Sequence, residues 1–486
     1  MPVLPSPRRC CALLALGLAG TALAGGTPPG LPAPVRQALA AADLPADSLG
    51  VHVRRVDEAR PLVTLNADRP YALASTAKVV TALAALELLG PAYRWRTFAY
   101  AGGPIVDGRL RGDLLIAGGG DASLTSADLV DWFTRLRAEG LQAIDGNLVL
   151  DRFAFRLRSA DFARTPVPDP QRPHHAWPDA LMVDEGVVEV DMMAAPSGRG
   201  ALRVSPALAD VKLVDATSRT PGCEAQAELD DAPGTSLRLV VRGSWTPACG
   251  LQRLRFMPLT QGEHAVHAVA AAWRRAGGAI TGRVIDRDAA SGSGVTQRDG
   301  DGTLEMPLSV HLSAPLADGL RDILKTSNNL GARNLMLSLA PGFPMQPATL
   351  EAAQARVAGW LRSQGLGPTG LQIDSGAGLS RGDRGTPRAL VELLCRAWPG
   401  RHGATLLDTL PVAGVDGTLA HRFVGTPAQG RAFLKTGTLL DARALAGYVR
   451  GRSGRLYAVA ALLNHPDAAR GVPALDALID WIAERG

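Results

Sequence analysis

The chain has 486 residues, of which 46% are hydrophobic and 20% are charged, a composition typical of a globular protein with two or three domains. Lys and Arg together number 51 and Asp and Glu 46, so the net charge is only +5, and the sequence contains no long block of one sign. This mildly basic balance argues against a nucleic-acid-binding surface, and we expect no nucleic-acid partner.

The first 24 residues have the pattern of a secretory signal peptide. Arg8 and Arg9 precede the apolar run 10–18, and Ala22-Leu23-Ala24 is a small-x-small cleavage site, so the mature chain would begin at Gly25. The alternative, a membrane anchor, is disfavoured because the run is too short to span a bilayer. No later run reaches about 18 apolar residues. We therefore expect a periplasmic protein with at most peripheral membrane association.

Cysteine and histidine usage gives little sign of a metal site. Cys223 and Cys249 flank a short, turn-rich segment and could pair in an oxidising compartment. Cys395 lies in an apolar run and is interpreted as a buried hydrophobic residue. His174-His175, in a proline-rich loop, is interpreted as a solvated pair. Because no metal-ligand spacing is present, we expect neither a metal nor another cofactor.

The chain after the signal peptide begins with a short helix and a hairpin. A helical pattern covers 34–41, and the alternating runs 49–53 and 62–65 predict two strands. An apolar helical run, 79–89, follows and stops at Gly90-Pro91.

Residues 97–262 are predicted to form a β-rich insertion, with one helix over 126–139. Gly118-Gly119-Gly120-Asp121 is interpreted as a turn rather than a phosphate loop, because it lacks the lysine and the strand-loop-helix spacing. The short apolar runs between Gly, Pro and Asp turns that predict strands are 114–116, 148–150, 187–190 and 237–241.

Helical periodicity returns after residue 262. Helices are predicted over 264–276, 316–339 with a break near 326–329, 352–364, 390–398 and 473–484. Strands are predicted over 280–285, 432–438, 444–449 and 456–463. Strands near both chain ends with helices between them predict an α/β (α+β) domain built from 25–96 and 263–486, with 97–262 inserted.

Ser75 and Lys78 lie on one face at the start of the 79–89 helix. A serine hydroxyl is a poor nucleophile until a base takes its proton, and a lysine can be that base if burial or another cation lowers its pKa. The helix N-terminus adds a positive end near the attacked carbonyl. On its own, this pattern is also common in ordinary helix caps.

Two further polar groups accompany this pair. Ser327 and Asn329 lie in the predicted helix break, where the hydroxyl can relay a proton and the amide can hold a substrate carbonyl or a lysine ammonium. Lys435 and Thr436 lie in a predicted strand, as a fixed cation and a hydroxyl for a carboxylate.

The end of the same strand suits the binding of an extended substrate. Gly437 leaves room for a substrate strand to lie alongside. The backbone N–H groups of Ser75 and Thr438 would then form an oxyanion hole.

The three motifs match the signature set of penicillin-binding proteins and class A β-lactamases, except that Ser-Asn-Asn here replaces Ser-Asp-Asn. With Leu379-Ser380-Arg381, 411–419 and the long insertion between Lys78 and Ser327, the chain resembles the D-alanyl-D-alanine carboxypeptidase/endopeptidase family of class C low-molecular-mass penicillin-binding proteins, penicillin-binding protein 4 type, peptidase family S13. One departure is Ala377, where that family usually has serine.

The resemblance implies a β-lactamase/transpeptidase-like serine domain that hydrolyses D-Ala-D-Ala or D-Ala-diaminopimelate bonds of peptidoglycan stem peptides through an acyl-enzyme on Ser75. Lys78 would be the base, Asn329 would position Lys78 and the substrate amide, and Ser327 would pass the proton to the leaving amine. β-Lactam antibiotics would acylate the same serine. Arg381 would lie near the site or form a structural ion pair.

Two alternatives remain open at this point. One is a β-lactamase or esterase of the same superfamily, which would turn penicillin over rapidly. The other is a non-catalytic peptidoglycan-binding scaffold, against which the complete set of polar residues argues.

Overall fold

The computed structural model describes residues 30–162, 175–194, 200–218, 220, 222–230, 237–287, 306–367 and 369–486. The predicted signal peptide, 1–24, and His174 lie outside these ranges. Within them, no helix is both long enough and apolar enough to cross a membrane.

The helices in these ranges follow the predicted helical runs closely. They are α1 (Ala33–Ala41), α2 (Ala77–Leu88), α3 (Ser126–Ala138), α4 (Gln261–Arg275), α5 (Leu316–Lys325), α6 (Asn329–Ser338), α7 (Leu350–Ser363), α8 (Pro387–Ala397), α9 (Gly403–Thr409) and α10 (Val472–Arg485). The gap between α5 and α6 is the predicted helix break, and α9 was not predicted.

The strands of the described residues include the predicted ones, except that the predicted strand 280–285 is divided between two short strands of different sheets, and there are many short additional strands. They are β1 (Leu49–Arg55), β2 (Pro61–Leu65), β3 (Tyr71–Ala72), β4 (Arg96–Ala101), β5 (Ile105–Val106), β6 (Arg109–Leu110), β7 (Leu114–Ala117), β8 (Ala143–Ile144), β9 (Leu148–Asp151), β10 (Val188–Ala194), β11 (Gly200–Ser205), β12 (Lys212–Ser218), β13 (Ala225–Asp230), β14 (Arg238–Ser244), β15 (Gln252–Phe256), β16 (Ala279–Ile280), β17 (Val284–Arg287), β18 (Ser309–Leu312), β19 (Leu371–Gln372), β20 (Arg384–Gly385), β21 (Ala432–Leu439), β22 (Ala442–Arg450) and β23 (Leu456–Asn464).

The central sheet combines the two ends of the chain, as predicted. Its order is β2-β1-β23-β22-β21, and every neighbouring pair is antiparallel. Val51 of β1 lies opposite Ala461 of β23. The strand order leaves β21 at one edge of the sheet, where an extended peptide can pair with it.

Alternate residues of β22 and β23 face two different cores, as strand geometry requires. Leu445 and Val459 contribute to a core with α1 and α10. Tyr448 and Ala460 contribute to a core with α2, α5, α6, α7 and α8. Helices therefore cover both faces of the sheet, in a three-layer arrangement.

Helix α2 lies inside the second of these cores. All of its residues from Ala77 to Leu86 are buried, which suits a helix that is apolar on every side. Lys78 is the charged residue in that stretch, and its side chain is fully buried. A buried lysine needs polar partners, and those partners form the candidate site described below.

The inserted region has two parts. In the first, the sheet β17-β9-β7-β4-β18 is covered by α3 and α4, with Trp132, Phe133 and Trp273 in the core. In the second, the sheets β11-β10-β15 and β12-β14-β13 pack around a smaller apolar core. A disulfide joins Cys223 and Cys249 in the second part. Cys395 is buried in the serine domain, as predicted.

The strand pairing places the end of the insertion later than the predicted residue 262. Helix α4 shares a core with α3, β17 pairs with β9, and β18 pairs with β4. Helical periodicity after residue 262 predicts the return of the first domain, whereas α4 packs on the inserted sheet. We therefore propose that the insertion extends to about residue 312, since β18 ends there.

Candidate active site

Ser75 lies in a 3₁₀ turn, Ala74–Thr76, that leads directly into α2. Lys78 follows one turn later, and the two residues share a helix face as predicted. The distance from Lys78 Nζ to Ser75 Oγ is 3.0 Å. Ala74 has a φ of 45°, a strained left-handed value for alanine, immediately before the serine.

Lys78 Nζ has two more hydrogen-bond acceptors. Asn329 Oδ1 and the Ala377 carbonyl oxygen each lie 2.7 Å away. Burial lowers the pKa of Lys78 well below its usual value, the Lys435 cation lowers it further, and Asp383 opposes this shift. The net effect favours the neutral amine, which can accept a proton from Ser75.

The helix break brings two side chains to these lysines. Ser327 has a φ of 64° and links α5 to α6, and its Oγ accepts a hydrogen bond of 2.9 Å from Lys435 Nζ. Asn329 opens α6 and accepts the hydrogen bond from Lys78. A single strained turn therefore connects the two buried lysines.

Lys435, Thr436, Gly437 and Thr438 lie on the edge strand β21. Lys435 is fully buried, and burial lowers its pKa to about 7. Thr436 and Thr438 retain solvent exposure, whereas a Cβ at Gly437 would lie 3.0 Å from the Ala74 Cβ. Glycine thus allows the strand to approach the nucleophile turn, a reason that the sequence did not reveal.

The sequence matches the D-Ala-D-Ala carboxypeptidase 3 (S13) family over residues 31–485. The chain belongs to this family. Its fold class and serine-type D-Ala-D-Ala carboxypeptidase class, both predicted above, are thereby confirmed.

Curated relatives agree with this membership, and a solved structure agrees with the fold. The chain is 31% identical to a D-alanyl-D-alanine carboxypeptidase of Actinomadura sp. (strain R39), over 79% of this chain and 71% of the relative. It is 25% identical to D-alanyl-D-alanine carboxypeptidase DacB of Haemophilus influenzae, over 86% of this chain and 85% of the relative. The crystal structure of penicillin binding protein 4 (dacB) from Haemophilus influenzae has the same fold, with a TM-score of 0.74 at 23% identity over 93% of this chain and 99% of that one.

A buried loop of this S13 chain holds Lys78 through its backbone. Asp383 is fully buried and accepts hydrogen bonds from Asp374 N at 2.8 Å, Ser375 Oγ at 2.5 Å and Gly378 N at 3.1 Å. These bonds fix the turn that presents the Ala377 carbonyl to Lys78. Lys78 contacts the backbone carbonyl of residue 377, not its side chain. Ala377 therefore keeps this contact, although the family usually has serine at that position.

The sequence did not identify this role of Asp383. The nearby Leu379-Ser380-Arg381 contributed to the resemblance, but nothing in the spacing connected Asp383 with Lys78. Arg381 forms an exposed ion pair with Asp441 at 2.7 Å, the structural alternative considered for it.

Thr418 is a second contact that the sequence did not assign. Thr436 Oγ1 lies 2.9 Å from Thr418 Oγ1, beside the edge strand. The loop that carries Thr418 is held by an ion pair between Lys325 and Asp416. The two threonine hydroxyls form a polar pair next to Lys435.

The described residues contain no group of three or more His, Cys, Asp or Glu side chains that could hold a metal ion.

Proposed function

We propose that Ser75 is the nucleophile of a D-Ala-D-Ala carboxypeptidase acting on peptidoglycan stem peptides, with Lys78 as its general base. The observation that carries this proposal is the contact of 3.0 Å between the buried Lys78 Nζ and the half-buried Ser75 Oγ. A buried lysine beside a second cation is neutral more readily than an exposed one, and a neutral amine can take the serine proton.

The reaction follows from this geometry. Ser75 Oγ attacks the carbonyl carbon of the terminal peptide bond as its proton passes to Lys78 Nζ. The tetrahedral intermediate then loses the C–N bond, and the leaving amine of D-alanine takes up, through the Ser327 hydroxyl, the proton that Lys78 accepted, which returns Lys78 to the neutral form. Water hydrolyses the resulting ester on Ser75, which releases the shortened peptide and regenerates the hydroxyl.

The backbone N–H groups of Ser75 and Thr438 are the proposed oxyanion hole. The packing of Gly437 against Ala74 supports this assignment, because it holds the end of β21 against the nucleophile turn. An extended substrate would pair with the open edge of β21, as in strand addition.

Lys435 and Thr436 are the proposed binding site for the terminal carboxylate of the substrate. The pKa of Lys435, about 7, leaves it partly protonated at neutral pH. An incoming carboxylate favours the ammonium form, and that cation in turn favours neutral Lys78. Binding of the correct substrate would therefore promote the charge states that the reaction needs.

Replacement of Lys435 by alanine tests this assignment. We expect acylation by carboxylate-bearing substrates to fall about 10- to 100-fold more than acylation by matched neutral esters, because only the former lose a charge-assisted contact. The measurement is the acylation rate constant for each substrate of a pair. Lys212→Ala, an exposed lysine of β12, is the matched control. Equal losses for acid and ester would contradict the carboxylate role.

The natural substrates and location follow from the same proposal. The family and the predicted signal peptide support action on peptidoglycan in the periplasm, with β-lactam antibiotics as inhibitors. A solved structure of penicillin binding protein 4 (dacB) from Haemophilus influenzae was obtained with a novel β-lactam. Its fold match has a TM-score of 0.67 at 23% identity.

The decisive experiment is incubation of the purified protein with crosslinked muropeptides, followed by mass spectrometry. We expect release of free D-alanine from pentapeptide stems. Cleavage of crosslinks would add D,D-endopeptidase activity, which uses the same nucleophile. If neither D-alanine release nor crosslink cleavage is seen and penicillin is turned over rapidly, the protein is a β-lactamase and the proposal is wrong. No reaction with any of these compounds would favour a scaffold.

A further inference from the structure

Asn328, the middle residue of the helix break, is bonded outside the catalytic cluster. Its Oδ1 accepts a hydrogen bond of 2.9 Å from Gly331 N and so caps α6. Its Nδ2 donates to Glu185 Oε1 at 2.5 Å and to Asp322 Oδ2 at 3.1 Å. Both ends of the amide are therefore engaged, and the side chain has one fixed orientation.

Glu185 reaches Asn328 from the inserted region, in the loop just before β10. Asp184, Glu185 and Gly186 have φ values of 48°, 56° and 71°, three consecutive left-handed residues. Two of them are not glycine, so this conformation is strained and must be held by its surroundings. The Asp184 carboxylate accepts a hydrogen bond of 3.1 Å from Ser126 N, and Gln261 Nε2 donates to the Glu185 carbonyl at 3.2 Å.

An open space adjoins the helix break on this side, whereas Leu330, directly after the break, packs against Val187 and Met257 of the inserted region. A cavity of about 410 Å³ lies between the Glu185 loop and the break, and it is lined by Glu185, Arg255, Asp322 and residues 326–329. Apolar packing does not fill this space. The hydrogen bond between Glu185 and Asn328 lies at the wall of this cavity and is a polar contact between the break itself and the inserted region.

We propose that Glu185 is a positioning residue for acylation, which acts through Asn328 to fix the break that presents Ser327 to Lys435 and Asn329 to Lys78. The inserted region would then complete the site rather than merely flank it. This inference rests on the proposed function, because it assumes that Ser327 and Asn329 serve Ser75 acylation.

The same contact explains why this chain has Ser-Asn-Asn in place of Ser-Asp-Asn. An aspartate at 328 would place a third carboxylate against Glu185 and Asp322. The other charged groups that act on Glu185 are Asp184, which adds repulsion, and Arg255, which opposes it. Burial raises the pKa of Glu185, which shows that its carboxylate is partly removed from water. A negative charge on residue 328 would therefore be poorly screened from that carboxylate.

The critical variant is Asn328→Asp, which restores the common motif. If Asn328 were only a helix cap, aspartate would serve as well, because both are strong N-cap residues and a negative charge suits a helix N-terminus. The proposed contact requires the opposite result. Like-charge repulsion should displace the break and slow acylation by a fluorescent penicillin about tenfold.

A double-mutant cycle separates the contact from a general loss of stability. Glu185→Gln should change the acylation rate less than about twofold, since glutamine keeps an acceptor, whereas Glu185→Ala should slow it about tenfold. In Asn328→Asp/Glu185→Gln, the glutamine amide can donate to the new carboxylate, and the rate should rise at least about threefold above that of Asn328→Asp, although Asp322 still faces residue 328. Asp191→Ala, which removes a carboxylate bound to Arg253 at 2.7 Å elsewhere in the insertion, should leave the rate unchanged.

Thermal melting of every variant accompanies the rate measurements, so that rates are compared between folded proteins. An Asn328→Asp variant that acylates like the wild type, or one that Glu185→Gln fails to rescue, would overturn the inference while leaving the proposed function intact. If Asn328→Asp does not fold, the acylation rate of Glu185→Ala tests the inference instead. A Glu185→Ala rate equal to that of the wild type would overturn it. Failure of the wild type to label would refute both proposals together.

Discussion

Replacement of Ser75 by alanine is expected to abolish covalent labelling of the protein by a fluorescent penicillin. The Ser75 hydroxyl oxygen is the atom that would form the ester, and it lies 3.0 Å from Lys78 Nζ. Loss of a catalytic serine lowers turnover by more than about 10³-fold in well-studied hydrolases. We therefore expect labelling at background level, measured by in-gel fluorescence and by the intact mass of the adduct.

The control for this variant is Ser453→Ala, in the exposed turn between β22 and β23. It should label like the wild type. Ser75→Ala removes one oxygen from a half-buried position, so its melting temperature should remain close to that of the wild type. A persistent adduct on folded Ser75→Ala would show that another residue is the nucleophile.

Replacement of Lys78 by methionine is expected to slow acylation about 10²- to 10⁴-fold, the usual contribution of a general base. Methionine has a similar volume and no charge, so it can occupy this fully buried position without leaving a cavity or an unpaired cation. The measurement is the second-order rate constant for penicillin acylation. Lys212→Met, at an exposed position, is the matched control.

The pH dependence gives Lys78 a distinct signature. Its pKa lies well below that of an ordinary lysine, so the neutral base is present above this lowered pKa and is lost as pH falls through it. Lys435 has a pKa of about 7, and its cation is lost as pH rises above that value. Acylation by a carboxylate-bearing penicillin should therefore show an acidic and an alkaline limb. Lys78→Met should lack the acidic limb, and an unchanged profile would argue against Lys78 as the base.

Much of the serine domain was predictable because its patterns are local. The apolar period of 316–339 fails over a few polar residues at 326–329, and the structure ends one helix at Lys325 and begins the next at Asn329. The three C-terminal strands are apolar runs separated by short turns, and they form consecutive antiparallel neighbours. In both cases, nearby residues determine the outcome.

The features that the sequence did not reveal depend on contacts between distant segments. Helix α4 has the same periodicity whichever sheet it covers, so its pattern could not show that it belongs with β9 and β17. Asp383 acts on Lys78 through backbone groups of its own loop, which leave no side-chain motif. Glu185 lies far from Asn328 in the chain, and only the fold brings them together.

The roles of the site residues therefore remain predictions, although the structure places them together. Lys78 is bonded to Ser75 and Asn329, and Lys435 is bonded to Ser327, so the turn 327–329 brings the two hydrogen-bonded groups together. Family resemblance named these residues but could not describe the charge of either lysine. That property depends on burial, which only the packed core around α2 and β21 determines.

The central sheet also sets the order in which the enzyme can become reactive. Strand β1 pairs with β2, which is synthesised directly after it, and with β23, which is synthesised near the end of the chain. A growing polypeptide therefore carries Ser75 and Lys78 for most of its synthesis without the strand that bears Lys435. Contacts between such distant segments form late in folding. A chain that ends before β21 would lack Lys435 and Thr436, and we expect it to be inert towards penicillin.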